Sequence, residues 1–180
     1  MQAPVASVGV FARLSSHRPP LQASGRHAPR IKFLTKTALF AGLVFICTYF
    51  FKVPIPLGTA YFNLGDVSVY LSALFLPPVS AVIASGLGSG LADLLYGAVV
   101  YIPATIVIKG FMVWLFAKFG KVFGLLYAVI ALVAGYFIYE FVLFGFAYAT
   151  SAFLFNVLQD IASVVIFVIL LQPLQLLKHK

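Results

Sequence analysis

The chain has 180 residues, of which 63% are hydrophobic and only 9% charged, with a formal net charge of +8. A soluble domain of this length carries closer to half apolar and a quarter charged residues, so a disordered chain, a disulfide scaffold and an ordinary water-soluble globule are excluded. What remains is an all-α, multi-pass integral membrane protein.

Residues 1–32 contain Arg13, Arg18, Arg26, Arg30 and Lys32 and no acidic residue. Their apolar stretch is too short for a secretory signal, and Arg13 and the Pro19-Pro20 pair interrupt it. They read as a basic, disordered cytoplasmic tail, or as upstream sequence that is not translated in the cell. Residues 33–172 read as a membrane domain and residues 173–180 as a short basic cytoplasmic tail.

A span needs roughly 20 apolar residues to cross a hydrocarbon core of about 30 Å, with tilt and shorter pieces tolerated. Six candidates follow in order. Residues 33–51 end at Lys52 and the Pro54/Pro56 pair, and residues 64–76 stop at Pro77-Pro78. Residues 79–96, 104–117, 122–144 and 152–171 complete the set. Between the first two lies KVPIPLGTAYFN, Lys52 to Asn63. Its prolines hold φ near −65° and Gly58 supplies a joint. The segment is either a lid over a cavity or a surface loop with Tyr61 and Phe62 among the headgroups.

Charge orients the bundle. With both termini cytoplasmic, ten of the twelve basic residues lie inside, leaving Lys52 in an outer loop and Lys109 within the fourth span. The opposite topology violates the positive-inside rule. These charges flank apolar segments, as topology signals and headgroup contacts do, which argues against nucleic acid as a partner.

All four acids, Asp66, Asp93, Glu140 and Asp160, fall in or at the ends of spans. An ionised side chain at mid-bilayer costs about 2.5–3.5 kcal/mol on insertion scales, so such residues call for a function or a partner. Asp66, Asp93, Lys109, Glu140, Asn156 and Gln159 all map to the outer half, with Asp160 just below. Tyr136 and Glu140 share a helix face, as do Asn156 and Asp160. Lys109 paired with one acid, and the rest as satisfied structural groups, accounts for any one of them. Their convergence at one depth favours a cavity for a small polar ring compound.

Small residues recur at four-residue spacing in the third span, with Ala84, Gly88 and Ala92 in one set and Gly86 and Gly90 in another. Such rows let helix backbones approach closely in a bilayer. Ala38 and Gly42 repeat the spacing in the first span, for internal packing or for a partner subunit. The single Cys47 has no partner for a disulfide, and His17, His27 and His179 all lie in the tails. A metal site and a histidine-based catalytic dyad are therefore not expected, nor is any cofactor, and no P-loop is present. An enzyme is not the reading.

NLGD (Asn63–Asp66), GSGLADLL (Gly88–Leu95), YIPATIVIKG (Tyr101–Gly110), GYFIYE (Gly135–Glu140) and NVLQ (Asn156–Gln159) appear in that order. With this spacing the chain resembles the S components of energy-coupling factor (ECF) vitamin transporters, in the riboflavin, hydroxymethylpyrimidine and pyridoxine branch. The resemblance implies a non-catalytic, six-helix capture subunit in a prokaryotic plasma membrane. It would work with a T component and two ATPase subunits, which hydrolyse the ATP. It implies a ligand pocket at the outer face, matching Lys109, Tyr136, Tyr139, Glu140, Asn156 and Gln159. Tyr61, Asn63, Asp66 and Asp93 fall to the lid loop or to structural polar roles. Ala38 and Gly42 match the family's T-component contact, with glycine in place of the usual second alanine. A thiamine-precursor pyrimidine or a vitamin B6 compound is the preferred ligand class, with riboflavin next. A stand-alone proton-coupled secondary transporter is the alternative, and a ligand-free structural membrane protein the third reading.

Overall fold

The computed structural model describes residues 28–54 and 61–178. The chain divides into two units, residues 1–32 and 33–180, and of the first only the opening of helix α1 is described. Helix α1 spans Ala28–Phe50. Two three-residue strands follow, β1 (Lys52–Pro54) and β2 (Tyr61–Asn63), paired antiparallel with Lys52 opposite Asn63 and Pro54 opposite Tyr61. The segment expected as a lid or a surface loop thus has a paired base, and among the described residues the fold is all-helical apart from this hairpin. A lid over the cavity would include residues 55–60, which lie outside the described residues.

Helix α2 (Gly65–Phe75) ends where Leu76 turns extended (φ −108°, ψ 153°), because the following proline ring disfavours α geometry in its predecessor. Pro78 then occupies the first turn of α3 (Pro78–Tyr96), where a missing N–H costs nothing. Gly97 stops α3 in the left-handed region at φ 84°. A short 3-10 turn at Val99–Tyr101 leads into α4 (Ile102–Phe144), and α5 covers Phe146–Lys178.

Helix α4 is not one straight rod. Gly120 has φ 76° and ψ −174°, non-helical values that break it into arms 102–119 and 121–144. At 1.5 Å per residue, Thr105 and Tyr136 would stand roughly 45 Å apart on a straight helix. Their side-chain oxygens are 2.9 Å apart. A Cβ built on Gly124 would lie 2.7 Å from the Cα of Phe116, and one on Gly135 would lie 2.9 Å from Cγ1 of Ile108. The arms therefore run antiparallel from a tight reversal at Gly120, between Lys118 and Lys121.

Among the described residues, four helical stretches are long and apolar enough to cross a membrane: Arg30–Phe50, Pro78–Tyr96, Val99–Phe144 and Phe146–Pro173; Gly65–Phe75 is apolar but shorter. Helix α5 begins six residues before the expected 152 and runs through Pro173 to Lys178, so much of the stretch expected as a C-terminal tail is helical. Large apolar side chains such as Leu39, Val107, Val122 and Val142 point outward. That is the pattern of a bundle whose surroundings are lipid.

Helix α3 is packed on both faces. A Cβ on Gly88 would meet the Ala41 carbonyl oxygen at 2.5 Å and Val44 Cβ at 2.8 Å, while Gly86 and Gly90 abut Ile106 of α4. Ser72 and Ser85 share a hydrogen bond of 2.8 Å between α2 and α3, beside a core of Val44, Val69, Ala81, Ala84 and Val113. A second core joins Tyr70 to Met112, Phe116, Leu132 and Phe167.

Candidate ligand-binding site

The site grows from the junction of β2 and α2. Asn63 Oδ1 accepts the Gly65 N–H at 2.8 Å, a side-chain turn that opens α2. A Cβ at Gly65 would press on Thr48 Oγ1 and lie 2.7 Å from Asn63 Oδ1, so only glycine lets α2 start this close to α1. One residue on, Asp66 is fully buried and forms an ion pair with Lys109 of α4, itself buried. Asp66 Oδ2 accepts a hydrogen bond of 2.9 Å from Gln159 Nε2. That bond orients the Gln159 amide so that its oxygen accepts from the Asn63 backbone N–H at 3.0 Å and from Asn63 Nδ2 at 3.2 Å. Three elements distant in sequence, the hairpin exit, α4 and α5, are tied at one point.

Over this floor lies a cavity of about 50 Å³. Its polar lining comes from Thr48, Asn63, Ser89, Asp93, Thr105, Lys109, Glu140, Asn156 and Gln159, and its aromatic lining from Tyr101, Tyr136 and Phe155. Thr105 and the Tyr136 hydroxyl are hydrogen bonded, and Lys109 Nζ stands 5.6 Å from the Tyr136 ring centre. Glu140 accepts from the Tyr101 hydroxyl and from Asn156 Nδ2, each at 3.4 Å. The Tyr101 and Tyr148 hydroxyls lie 3.0 Å apart. This volume holds a few waters, whereas small-molecule sites usually reach about 300 Å³ or more. A ring compound enters only if the lining separates.

The residues singled out from sequence divide as follows. Lys109, Tyr136, Glu140, Asn156, Gln159, Asn63 and Asp93 line the cavity. Asp66 stands behind Lys109. Tyr139 is outside the lining: its hydroxyl donates to the Val100 carbonyl, and its ring lies 6.0 Å from that of Tyr101. Asp160 also stands apart, accepting from the Tyr70 hydroxyl at 2.8 Å. The Tyr61 side chain lies outside the described residues. Ala38 is exposed, and a Cβ on Gly42 would meet no atom within 4 Å, so both face away from the bundle.

Sequence reasoning missed Tyr101, Thr105, Ser89, Thr48 and Phe155. The signal was there for most of them. Tyr101, Thr105 and Lys109 stand at successive four-residue steps, as do Ser89 and Asp93, and Phe155 and Gln159. Among the described residues, no group of three His, Cys, Asp or Glu side chains is placed to hold a metal ion.

A family model for the ECF-type riboflavin transporter S component matches residues 29–176. The chain is 31% identical over 131 residues to an uncharacterized protein in the gap 3' region of Pyrococcus woesei, covering 68% of this chain and 88% of that relative. No solved structure matches. The chain belongs to the S-component family of ECF-type riboflavin transporters.

Proposed function

We propose that this chain captures a B vitamin or vitamin precursor at the outer face of a prokaryotic plasma membrane. It then delivers the ligand with a T component and two ATPases that supply the energy. In this reading the chain crosses six times, with α2 and the two arms of α4 each counting as a crossing and both termini cytoplasmic. The turn at Gly120, between Lys118 and Lys121, then falls on the inner side, where basic residues belong. The observation that carries the reading is the cavity on which α1, β2, α3, α4 and α5 converge polar side chains, a costly arrangement in a bilayer without a ligand to use it.

Within the site, Lys109, Glu140, Asn156 and Gln159 supply hydrogen bonds, and Tyr136 a ring face. Ala38 and Gly42 on the open face of α1 are the proposed T-component contact. The small cavity favours a single-ring compound, a thiamine-precursor pyrimidine or a vitamin B6 form. The family model's description favours riboflavin as the second choice.

The test is mass spectrometry of small molecules released from gently purified protein, followed by thermal-shift titration with a B-vitamin panel. A stoichiometric heterocycle supports capture. An empty protein stabilised by none of them counts against it. A stand-alone proton-coupled transporter is the competing reading, favoured by Asp160, fully buried with Oδ2 lacking a hydrogen-bond partner. It requires uptake driven by a pH gradient in liposomes that hold this chain alone.

A further inference from the structure

We infer that the hydroxyls of Thr48 on α1 and Ser89 on α3 hydrogen-bond the captured compound, a heterocycle with a second polar edge besides the one that Glu140 and Asn156 meet. The inference rests on the capture reading and deepens it by adding α1 and α3 to the binding wall.

Both residues line the cavity, and both are buried, 3% and 1% exposed. Neither hydroxyl oxygen has a hydrogen-bond partner. In a helix that state is easily avoided, because a serine or threonine can turn its hydroxyl onto a carbonyl three or four residues back. Thr37, Ser68, Ser72, Thr150 and Ser151 all do so, onto the carbonyls of Phe33, Gly65, Val69, Phe146 and Ala147. Thr48 and Ser89 forgo that bond and leave a buried polar atom unsatisfied, which costs stability. In a bilayer no outside water offsets the loss, and a ligand polar group is the partner that accounts for both.

The packing around the two residues holds them in place. Thr48 Oγ1 lies beside Gly65 at the head of α2, so glycine at that position leaves no side chain over the oxygen. Ser89 follows Gly88, whose close approach to Ala41 and Val44 fixes α3 against α1, and Thr48 stands one helical turn beyond Val44. The hydroxyls therefore sit on two helices locked together, while Glu140 and Asn156 reach the cavity from α4 and α5. A hydroxyl both donates and accepts, so the pair suits the ring nitrogens, hydroxyls or carbonyls of a heterocycle. Ser80 on α3 is also buried with an unpartnered hydroxyl but lies outside the lining, which makes it a control.

The experiment is isothermal titration calorimetry of the purified full chain with pyridoxine, hydroxymethylpyrimidine and riboflavin, in wild type, Thr48→Val and Ser89→Ala. Each substitution removes little besides the hydroxyl. Each variant should bind the tightest of the three compounds at least about threefold more weakly, the loss of one hydrogen bond. Its melting temperature without ligand should equal or exceed that of wild type, because an unpartnered buried hydroxyl is gone. Thr48→Ser keeps the hydroxyl and should bind as wild type does. Ser80→Ala should melt no lower than wild type and bind unchanged. Wild-type affinity in folded Thr48→Val or Ser89→Ala overturns the inference and leaves the capture reading standing. So does weaker binding joined to a lower melting temperature without ligand, the mark of a structural hydroxyl, or an equal loss of binding in Ser80→Ala. If no compound binds to folded wild-type protein, the capture reading falls and the inference falls with it.

Discussion

The buried Asp66–Lys109 pair allows a quantitative test of what holds the bundle together. Asp66→Asn keeps the shape and an acceptor for Gln159 Nε2, but strands the Lys109 ammonium in a site where it is 3% exposed. Breaking a buried pair from one side costs about 3–5 kcal/mol. Insertion scales put an unpaired charge at mid-bilayer at about 2.5–3.5 kcal/mol, so two independent routes meet near 3 kcal/mol. Asp66→Ala also leaves the Gln159 amide without its acceptor, adding about 1–3 kcal/mol. Asp66→Leu combined with Lys109→Met removes both charges and should fall within about 2 kcal/mol of wild type, because apolar replacements of a buried pair are close to neutral. Equilibrium unfolding in mixed micelles of rising dodecyl sulfate fraction reads these differences, with Trp114, the single tryptophan, as reporter. A loss of about 3 kcal/mol is on the order of a hundredfold in the folded-to-unfolded ratio. Asp66→Asn within 1 kcal/mol of wild type, or a double variant as unstable as the summed singles, would refute the argument.

Three further outcomes are expected. Gly88→Ala should destabilise by about 1–3 kcal/mol in the same titration, because its Cβ meets backbone of α1 at 2.5 Å. Gly90→Ala, which meets the side chains of Ile106 and Ile102 rather than backbone, should cost less. Gly120→Ala should cost about 1–3 kcal/mol although no atom lies within 4 Å of the added methyl, since its φ/ψ belongs to a region that essentially only glycine occupies. Glu140→Ala and Asn156→Ala should weaken ligand binding while co-purification with a T component persists. Gly42→Leu should do the reverse, and undiminished complex formation in Gly42→Leu would remove α1 from the docking surface.

Much of this protein can be read in one dimension. Whether a segment partitions into lipid depends on its own summed transfer free energy, so the apolar stretches, their proline ends and the basic flanks mark the helices without any tertiary contact. The two-sided packing of α3 was legible for a similar reason: small residues four apart leave a groove on a helix wherever it packs. Four-residue spacing also placed Tyr136 with Glu140 on one wall of the cavity. Used more fully, it would have found Tyr101 and Thr105 in line with Lys109.

Other features depended on which helix faces meet. That Lys109 pairs with Asp66 follows from the start of α2 being drawn against α1 at Gly65. Tyr139 and Glu140 are adjacent in sequence yet separated in space, because about 100° of rotation per residue sends one to the cavity and the other to the Val100 carbonyl. Asp160 is one residue from Gln159 and goes to Tyr70 for the same reason. The hairpin base between Lys52 and Asn63 needed both strands in register before its backbone groups could pair. Sequence alone determined a basic-flanked bundle of apolar helices with buried polar residues, because burial in lipid is a local free energy. Only the tertiary structure decided how those polar groups pair and which face the cavity, because pairing depends on distances of a few ångströms between residues up to 96 positions apart.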